Sequence, residues 1–203
     1  MADASFALLD DRGVLAVSGP DRRAFLQGLV SNDVDKVGRD RARYAALLTA
    51  QGKYLHDFIM VEAAEVRIEP TGAILLDAEA QRLADLKRRL SIYRLRAKVT
   101  LEERPDLAVA VVFGDGAFAA LNLDGEPGAA RPFAGGIALA DPRLAALGAR
   151  CILPRESARS ALVEAGLIEA GPAAYDDLRL GLGVPDGSRD LVIEKSILLE
   201  AGF

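Results

Sequence analysis

Short apolar runs alternate with amphipathic stretches along the whole chain. The runs at residues 6–9, 14–17 and 107–113 are rich in Val, Leu and Ala and are bounded by turn residues, which predicts β-strands. Between residues 78 and 93 apolar side chains recur at helical spacing, which predicts a helix, and Asp77 directly before it suits an N-cap. Interleaved strands and helices of this kind are typical of α+β proteins.

The segment from residue 44 to residue 58 predicts a β-hairpin, because two apolar runs flank one polar turn. The turn, Thr49 to Lys53, contributes a hydroxyl, an amide, a glycine and a cation. These groups suit a polar or anionic ligand, although glycine and polar residues are also what an ordinary hairpin turn contains. Both interpretations remain open on these residues alone.

The order of predicted elements divides the chain into two units. Strand, helix, hairpin and helix occur in both halves, which favours two α+β units over a solenoid. Pro105 marks the boundary, because proline disfavours the helical conformation in the residue before it. We therefore expect a first α+β unit at residues 1–104 that contains the hairpin and a second at residues 105–172. A return segment at residues 173–203 is expected to pack on the first unit.

Composition narrows the class of protein. The 203 residues are 51% hydrophobic and 27% charged with a formal net charge of −5, which indicates a globular chain. The negative charge argues against general binding of nucleic acid or of an anionic membrane, and no apolar run is long enough to cross a bilayer. The single cysteine, Cys151, and single histidine, His56, predict no disulfide and no metal site. Without a secretory leader, the chain is expected to be cytoplasmic.

Four segments carry a resemblance to a known family. Residues 47–58 match the pattern LLTxQGKxxxDF, and residues 19–28, 31–33 and 179–186 supply further matches in the same order. Together they resemble the YgfZ/GcvT-like folate-binding family, the relatives of the glycine-cleavage T protein. The resemblance implies two mixed sheet-plus-helix units like the N-terminal part of the T-protein/YgfZ fold. The C-terminal barrel is expected to be missing, because the family's KGCxxGQE motif does not occur in the chain.

The same resemblance implies a ligand and a role. The ligand would be tetrahydrofolate or another folate derivative. The role would be support of iron–sulfur cluster assembly or repair, with iron–sulfur client proteins as partners and a connection to tRNA modification. The candidate ligand-binding residues are Asn32, Thr49, Gln51, Lys53 and Arg179. Ordinary structural interpretations compete with this one: Asn32 could belong to a turn after a helix, and Arg179 could be a cation on a helix surface.

Two positions depart from the aminomethyltransferases that the chain resembles. His56 stands where those proteins carry the first acid of an Asp-Asp pair, and Gly181 stands where they carry the glutamate of an RLExG segment. Asp57 is then the remaining catalytic candidate. These departures favour a folate binder that transfers no aminomethyl group. Two alternatives stay open: a folate-dependent aminomethyltransferase or other one-carbon transfer enzyme that uses Asp57, and a non-catalytic protein-interaction module.

Overall fold

The computed structural model describes residues 4–69 and 71–202, which form two β-sheets with helices packed against them. The strands are β1 (Ser5–Leu8), β2 (Arg12–Ser18), β3 (Arg43–Leu48), β4 (Tyr54–Ala63), β5 (Ala73–Glu79), β6 (Thr100–Glu103), β7 (Leu107–Phe113), β8 (Ala130–Phe133), β9 (Gly136–Ala140), β10 (Ala149–Pro154) and β11 (Ile168–Glu169). The helices are α1 (Arg22–Gln27), α2 (Leu83–Ile92), α3 (Ala117–Ala120), α4 (Ala158–Glu164), α5 (Pro172–Gly181) and α6 (Gly187–Asp190). Single 3₁₀ turns lie at Val34–Lys36, Ala80–Arg82, Ala145–Leu147 and Leu198–Ala201.

The first sheet has the strand order β3-β4-β5-β2-β6 and is antiparallel throughout. Helix α2 covers one of its faces. The leucines Leu83, Leu86 and Leu90 are buried in the same cluster as Phe58 of β4 and Leu76 of β5. Spacings of three and four residues bring these leucines to one side of the helix, so a single apolar stripe covers the sheet.

The second sheet has the strand order β11-β1-β7-β10-β9-β8. Strand β1 pairs antiparallel with β7 and parallel with β11, so the first strand of the chain belongs to a sheet formed mainly by later residues. The sequence regions on either side of Pro105 are thus interlocked through β1. The division into units at residues 104 and 105 stays a prediction.

The two sheets face each other across a common apolar core. Val61 and Leu75 of the first sheet lie in the same buried cluster as Val109, Val111 and Ile152 of the second. Side chains of a strand alternate between its two faces, so the same strands also send residues toward the helices. The predicted α+β architecture with two sheet-plus-helix units is confirmed.

The segment after α5 lies on the first sheet near the start of β4. The backbone amide of Tyr54 donates to the carbonyl of Ser196 at 2.9 Å, and the amide of Glu194 donates to the carbonyl of Tyr54 at 2.8 Å. Leu191 and Leu198 are buried beside Tyr54. Helix α6 is consequently held over the end of β4 that leads out of the hairpin turn.

Asp77 is not a helix cap, in contrast to the prediction from sequence. It lies within β5, and α2 begins only at Leu83 after a 3₁₀ turn. The carboxylate of Asp77 pairs with Arg12 and Arg150 inside the protein. These buried ion pairs fix Asp77 in the strand, so the strand continues past the point where the apolar pattern predicts a helix.

Strand β8 lies in residues 114–136, a stretch rich in Gly, Ala and Pro. This stretch contains the short helix α3, and its residues Ala130–Phe133 pair with β9. The sequence Ala-Arg-Pro-Phe has little strand character because it contains a proline. It forms an edge strand, where a missing amide donor is tolerated.

Candidate functional site

Five charged residues form a continuous ion-pair network between the two sheets. Asp77 pairs with Arg12 (Nε–Oδ1 2.8 Å) and with Arg150 (Nη1–Oδ2 2.8 Å). Arg150 also pairs with Asp141 (Nε–Oδ2 3.1 Å), which pairs in turn with Arg143 (Nη2–Oδ2 2.7 Å). All five side chains are shielded from water, and each carboxylate lies between two guanidinium groups. The alternation compensates charges that would be costly to bury singly.

The network holds its groups in their charged forms. Burial by itself would raise the pKa of Asp141, but the neighbouring guanidinium groups of Arg143 and Arg150 outweigh it and keep that pKa far below the usual range. Burial likewise opposes the charge on Arg150, yet Tyr175, Asp77 and Asp141 together raise its pKa well above the ordinary value. The centre of the molecule is therefore polar and ionised although it lies between two apolar sheets.

A β-bulge places two polar side chains of β4 on one face at the end of the hairpin. The register between β3 and β4 shifts after Leu47, which pairs with His56, so that Leu55 is the extra residue. The shift brings Tyr54 to the same face as Asp57. The hydroxyl of Tyr54 donates to Oδ1 of Asp57 at 2.9 Å.

The second oxygen of Asp57 has its own partner. The hydroxyl of Tyr44 donates to Oδ2 at 3.1 Å. Burial, followed by the negative charge of Asp57, raises the pKa of both Tyr44 and Tyr54 far above the usual range. Both phenols therefore remain hydrogen-bond donors to one carboxylate.

Helix α6 closes over Asp57. Gly187, the first residue of α6, has φ +49°, and a Cβ at this position would lie 3.2 Å from Oδ1 of Asp57. The next residue, Ser188, donates its hydroxyl to the carboxylate of Glu79 at 2.8 Å. Asp57 is only 5% exposed. Glycine thus permits α6 to lie directly on the carboxylate and to shield it from solvent.

A cavity of about 130 Å³ lies beside α6. It is lined by Asp11, Arg12, Glu79, Gln81, Asp186, Gly187 and Arg189. A smaller space of about 30 Å³ adjoins it through shared residues and reaches Arg143, Arg150, Tyr175 and Arg179. Arg12 contributes a buried guanidinium whose Nη1 lies 3.7 Å from Oδ1 of Asp186. This cavity offers a fixed cation next to carboxylates, which can orient a ligand that has both acceptor and donor groups.

The predicted turn residues use part of their polar capacity within the turn. The hydroxyl of Thr49 accepts bonds from the amides of Gln51 (3.3 Å) and Lys53 (3.1 Å), and the amide of Thr49 donates to the carbonyl of Lys53. The side chain of Gln51 is exposed, and that of Lys53 forms no ion pair with the described residues. The turn is therefore well formed without a ligand, and its amine and amide remain available.

Asn32 lies at the other end of β3 from the turn. Its Nδ2 donates to the carbonyl of Tyr44 at 2.8 Å, and its Oδ1 accepts from the amide of Asp33. Tyr44 and Thr49 are five residues apart, which corresponds to about 16 Å along a strand. A single flat ring could not contact both Asn32 and the turn.

Arg179 is buried, where the ordinary interpretation expected a surface cation. Its guanidinium donates to Oδ2 of Asp190 at 2.6 Å and to the carbonyl of Val184 at 3.2 Å, and it also pairs with Asp176. These bonds join α5 to α6. Among the five predicted ligand-binding residues, Arg179 is the one that lines the smaller of the two cavities described above.

His56 and Asp57 point to opposite faces of β4 and form no catalytic pair. Nε2 of His56 lies 2.9 Å from Oδ2 of Asp85 on α2. Burial lowers the pKa of His56 and outweighs the opposing bond to Asp85, so the imidazole is neutral at pH 7. Cys151 is buried in β10 and has no disulfide. In residues 4–69 and 71–202 no three His, Cys, Asp or Glu side chains are placed to hold a metal ion.

The charged residues of the centre were missed by reasoning from sequence. Asp77 and Arg150 interrupt apolar strands, and a charge at an inward position of a strand is a signal that could have been used. Arg12, Asp141 and Asp186 stand next to turns, where charged residues are common. Their positions in the sequence give no indication that these three side chains lie close together in the folded protein.

The known proteins that the sequence resembles share one name. The chain matches no known protein-family profile. It is 34% identical over 205 residues to the human "Iron-sulfur cluster assembly factor IBA57, mitochondrial", covering 96% of this chain and 55% of that protein. The mouse protein of the same name is 31% identical, with the same two coverages. The homologue from Neurospora crassa is 28% identical over 98% of this chain and 45% of its own length. The chain spans about half the length of these relatives.

Solved structures show the same fold in other proteins. The glycine cleavage system aminomethyltransferase T from Bartonella henselae superposes with a TM-score of 0.71 at 20% identity, covering 91% of this chain and 52% of that one. A heterotetrameric sarcosine oxidase from Corynebacterium sp. U-96 gives a TM-score of 0.51 at 11% identity, covering 86% of this chain and 85% of that one. The chain has the fold of the N-terminal region of aminomethyltransferase T. At these identities the likeness concerns the fold alone.

These comparisons support the resemblance at the level of the GcvT-like fold and correct one expectation. The finer assignment to YgfZ, and the connection to tRNA modification, stay predictions. The expectation of a cytoplasmic protein is wrong, because the human, mouse and Neurospora relatives are named mitochondrial. A lone cysteine is compatible with any reducing compartment, so cysteine usage could not distinguish the cytosol from the mitochondrion. In the described part of the chain, no helix has the length and apolarity that a membrane crossing requires.

Proposed function

We propose that the chain takes part in iron–sulfur cluster assembly and that it binds a reduced folate in the cavity beside α6. The observation that carries the role is the similarity to the IBA57 factors, which extends over 96% of the chain for the human protein. The similarity is spread along nearly the full length of the chain and is not confined to one motif. Client proteins of iron–sulfur assembly would then be its macromolecular partners.

The chemistry of the cavity fits the ring of a folate. A pterin presents an exocyclic amine and a ring N–H as donors next to a carbonyl acceptor. The carboxylates of Glu79 and Asp186 would accept from the donors, and the guanidinium of Arg12 would donate to the carbonyl. The volume of about 130 Å³ is below the range of about 300–1,000 Å³ usual for whole ligands. It would therefore hold the ring system, with the rest of the molecule outside.

The hairpin turn is a candidate contact for the anionic end of the folate. Tyr54 follows Lys53 directly, and its hydroxyl lies about 3.5 Å from the position of a Cβ on Gly187, which lines the cavity. A tail that leaves the cavity across α6 would approach the turn. Lys53 would contribute a partly exposed charge there, and Gln51 an exposed amide.

The surroundings of Asp57 favour binding over aminomethyl transfer. Both oxygens of Asp57 accept tyrosine hydroxyls, α6 covers the carboxylate, and Asp57 lines neither of the two cavities. A catalytic base must reach the proton that it removes within hydrogen-bond distance. In this arrangement Asp57 serves to hold the end of β4 and the tyrosines beneath α6.

Deletion of the gene in its source organism tests the proposed role. Enzymes that carry iron–sulfur clusters should lose activity, while enzymes that carry none should keep it, and the wild-type gene should restore the loss. Unchanged activity of the iron–sulfur enzymes would contradict a role in cluster assembly. Binding of folate is a separate question, which a titration of the purified protein with tetrahydrofolate answers whatever the deletion shows.

A further inference from the structure

The groove between α1 and the loop after α2 exposes an unusual amount of apolar surface. Leu95 is 90% exposed and Tyr93 is 56% exposed. Together with Phe25 of α1 and Leu29, which follows that helix, they border a space of about 480 Å³, here named the α1–loop groove. Ile92, at the end of α2, adds a side chain that is 61% exposed next to it. Clustered exposed apolar side chains of this kind mark interaction sites.

The loop holds Leu95 outward by a defined backbone conformation. Leu95 has φ +40°, in the left-handed region that bulky residues rarely adopt. The amide of Arg94 donates to the carbonyl of Ser91, and the amide of Ala97 donates to the carbonyl of Arg94 at 2.7 Å. These bonds fix the loop on both sides of Leu95. The exposed leucine is thus part of an ordered surface.

The charge available at the groove is positive. Arg94 and Arg96 line it, and neither side chain forms an ion pair or hydrogen bond with any residue in 4–69 or 71–202. Asp21, also at the groove, already accepts the amide of Lys98 at 2.7 Å. The arginines of the last turns of α2, in contrast, pair with Asp85. Two unpaired guanidinium groups therefore flank apolar side chains on a chain whose net charge is −5.

We propose that the α1–loop groove docks an acidic amphipathic segment of a partner protein. Apolar side chains of that segment would cover Tyr93 and Leu95, and its carboxylates would pair with Arg94 and Arg96. The space is wide and open, so it can receive the apolar face of a helix. Two arginines are fewer than the four to eight basic residues typical of lipid-binding clusters. The negative net charge disfavours nucleic acid as the occupant.

Site-specific photo-crosslinking in cells of the source organism tests the proposal. A photoreactive phenylalanine analogue replaces Tyr93 in the groove or, as a matched control, Val163 on α4, which is 53% exposed. The expected result is a crosslink from position 93 but not from position 163, to a segment of another protein that is rich in Asp and Glu and amphipathic. A crosslink to lipid, to the same polypeptide or to a segment without acidic residues would overturn the proposal, as would no crosslink at position 93.

Charge reversal then tests the pairing with the recovered partner. The double variant Arg94→Glu/Arg96→Glu should weaken binding of that purified partner by roughly tenfold or more, and Glu→Arg changes in the partner's segment should restore it. The control Arg39→Glu, a 49% exposed arginine side chain on another surface, should bind like the wild type. Equal binding by all variants, or no rescue by the reversed partner, would show that the arginines are not the docking residues. This proposal is independent of folate binding.

Discussion

Arg150 of the second sheet donates to the carboxylate of Asp77 of the first sheet, with 2.8 Å between Nη1 and Oδ2. Both residues lie at the interface of the sheets and are almost completely buried. Asp77 is also the partner of Arg12, so one carboxylate compensates two buried guanidinium groups. This pair is a polar link between two sheets that also share an apolar core.

Replacing Asp77 should strongly destabilise the fold. In Asp77→Asn, Arg12 loses its closest carboxylate and Arg150 loses one of its two carboxylate partners and keeps Asp141. Removing one partner of a buried ion pair typically costs about 3–5 kcal/mol in the free energy of unfolding. Denaturation by guanidinium chloride measures this loss. The control Asp35→Asn, at an exposed 3₁₀ turn, should change stability by less than about 0.5 kcal/mol. A loss below about 1 kcal/mol for Asp77→Asn would show that the pair is dispensable.

The fold was predictable where the pattern is local. Alternating apolar positions and turn residues predict β3 and β4, and the leucine spacing predicts α2. Strand pairing between distant segments was not predictable in the same way. Nothing in residues 5–8 indicates that β1 pairs with β7 and β11 instead of with the neighbouring β2, because pairing partners depend on tertiary packing.

The stability of the protein should fall between pH 7 and pH 5.5 because of His56. Burial lowers the pKa of His56 in the folded protein, so the unfolded chain binds a proton first as the pH falls. Stability is therefore lost as the pH decreases below the unfolded pKa of about 6.5, by at most about 1.4 kcal/mol per pH unit.

The variant His56→Gln isolates this effect, because His56 is the single histidine of the sequence. Its unfolding free energy, measured by denaturant at both pH values, should change much less with pH than that of the wild type. If the unfolding free energy of the variant and of the wild type depended on pH in the same way, the pH dependence would come from a group other than His56.

Cys151 should resist modification in the native protein. Burial raises the pKa of its thiol to about 12, and the residue is completely enclosed in β10. The thiolate is the reactive form, so a thiol reagent at pH 7 should label the native chain only as fast as the chain unfolds. Labelling is followed by mass spectrometry, with the denatured protein as the positive control. Complete labelling of the native protein within seconds would contradict the burial.

Replacing Asp57 should affect stability and not produce a catalytic defect. Asp57→Asn leaves a single carbonyl oxygen where Tyr44 and Tyr54 now donate to two carboxylate oxygens. We expect a loss of about 1–3 kcal/mol in the free energy of unfolding, measured by denaturant. The wild type should release no ammonia from an aminomethyl donor in the presence of tetrahydrofolate. Turnover that disappears in Asp57→Asn would instead support an aminomethyltransferase.

The site was predictable only in part. The hairpin turn and Asp57 were identified from a local motif. In the structure, Asp57 lies beneath Gly187 of α6, a residue that follows it by about 130 positions in the sequence. Arg179 was selected for the same reason but is engaged by Asp176 and Asp190. The cavity depends on Arg12, Glu79 and Asp186 together. Such convergence is a property of the tertiary structure, and no spacing in the sequence reveals it.

Calorimetric titration with tetrahydrofolate tests the central claim most directly. Glu79→Gln keeps the shape of the cavity and an acceptor for Ser188 but removes the carboxylate that would accept the pterin donors. Loss of a charge-assisted bond of about 1.5–3 kcal/mol predicts binding weaker by roughly tenfold or more. Lys53→Ala, which removes a more exposed charge, should weaken binding by less than about 1 kcal/mol.

The matched control is Glu103→Gln, a part-buried carboxylate on β6 that pairs with Lys87. We expect wild type and Glu103→Gln to bind tetrahydrofolate equally and Glu79→Gln to bind at least about tenfold more weakly. Absence of binding by the wild type, or equal affinity in Glu79→Gln, would contradict a folate site in the cavity beside α6.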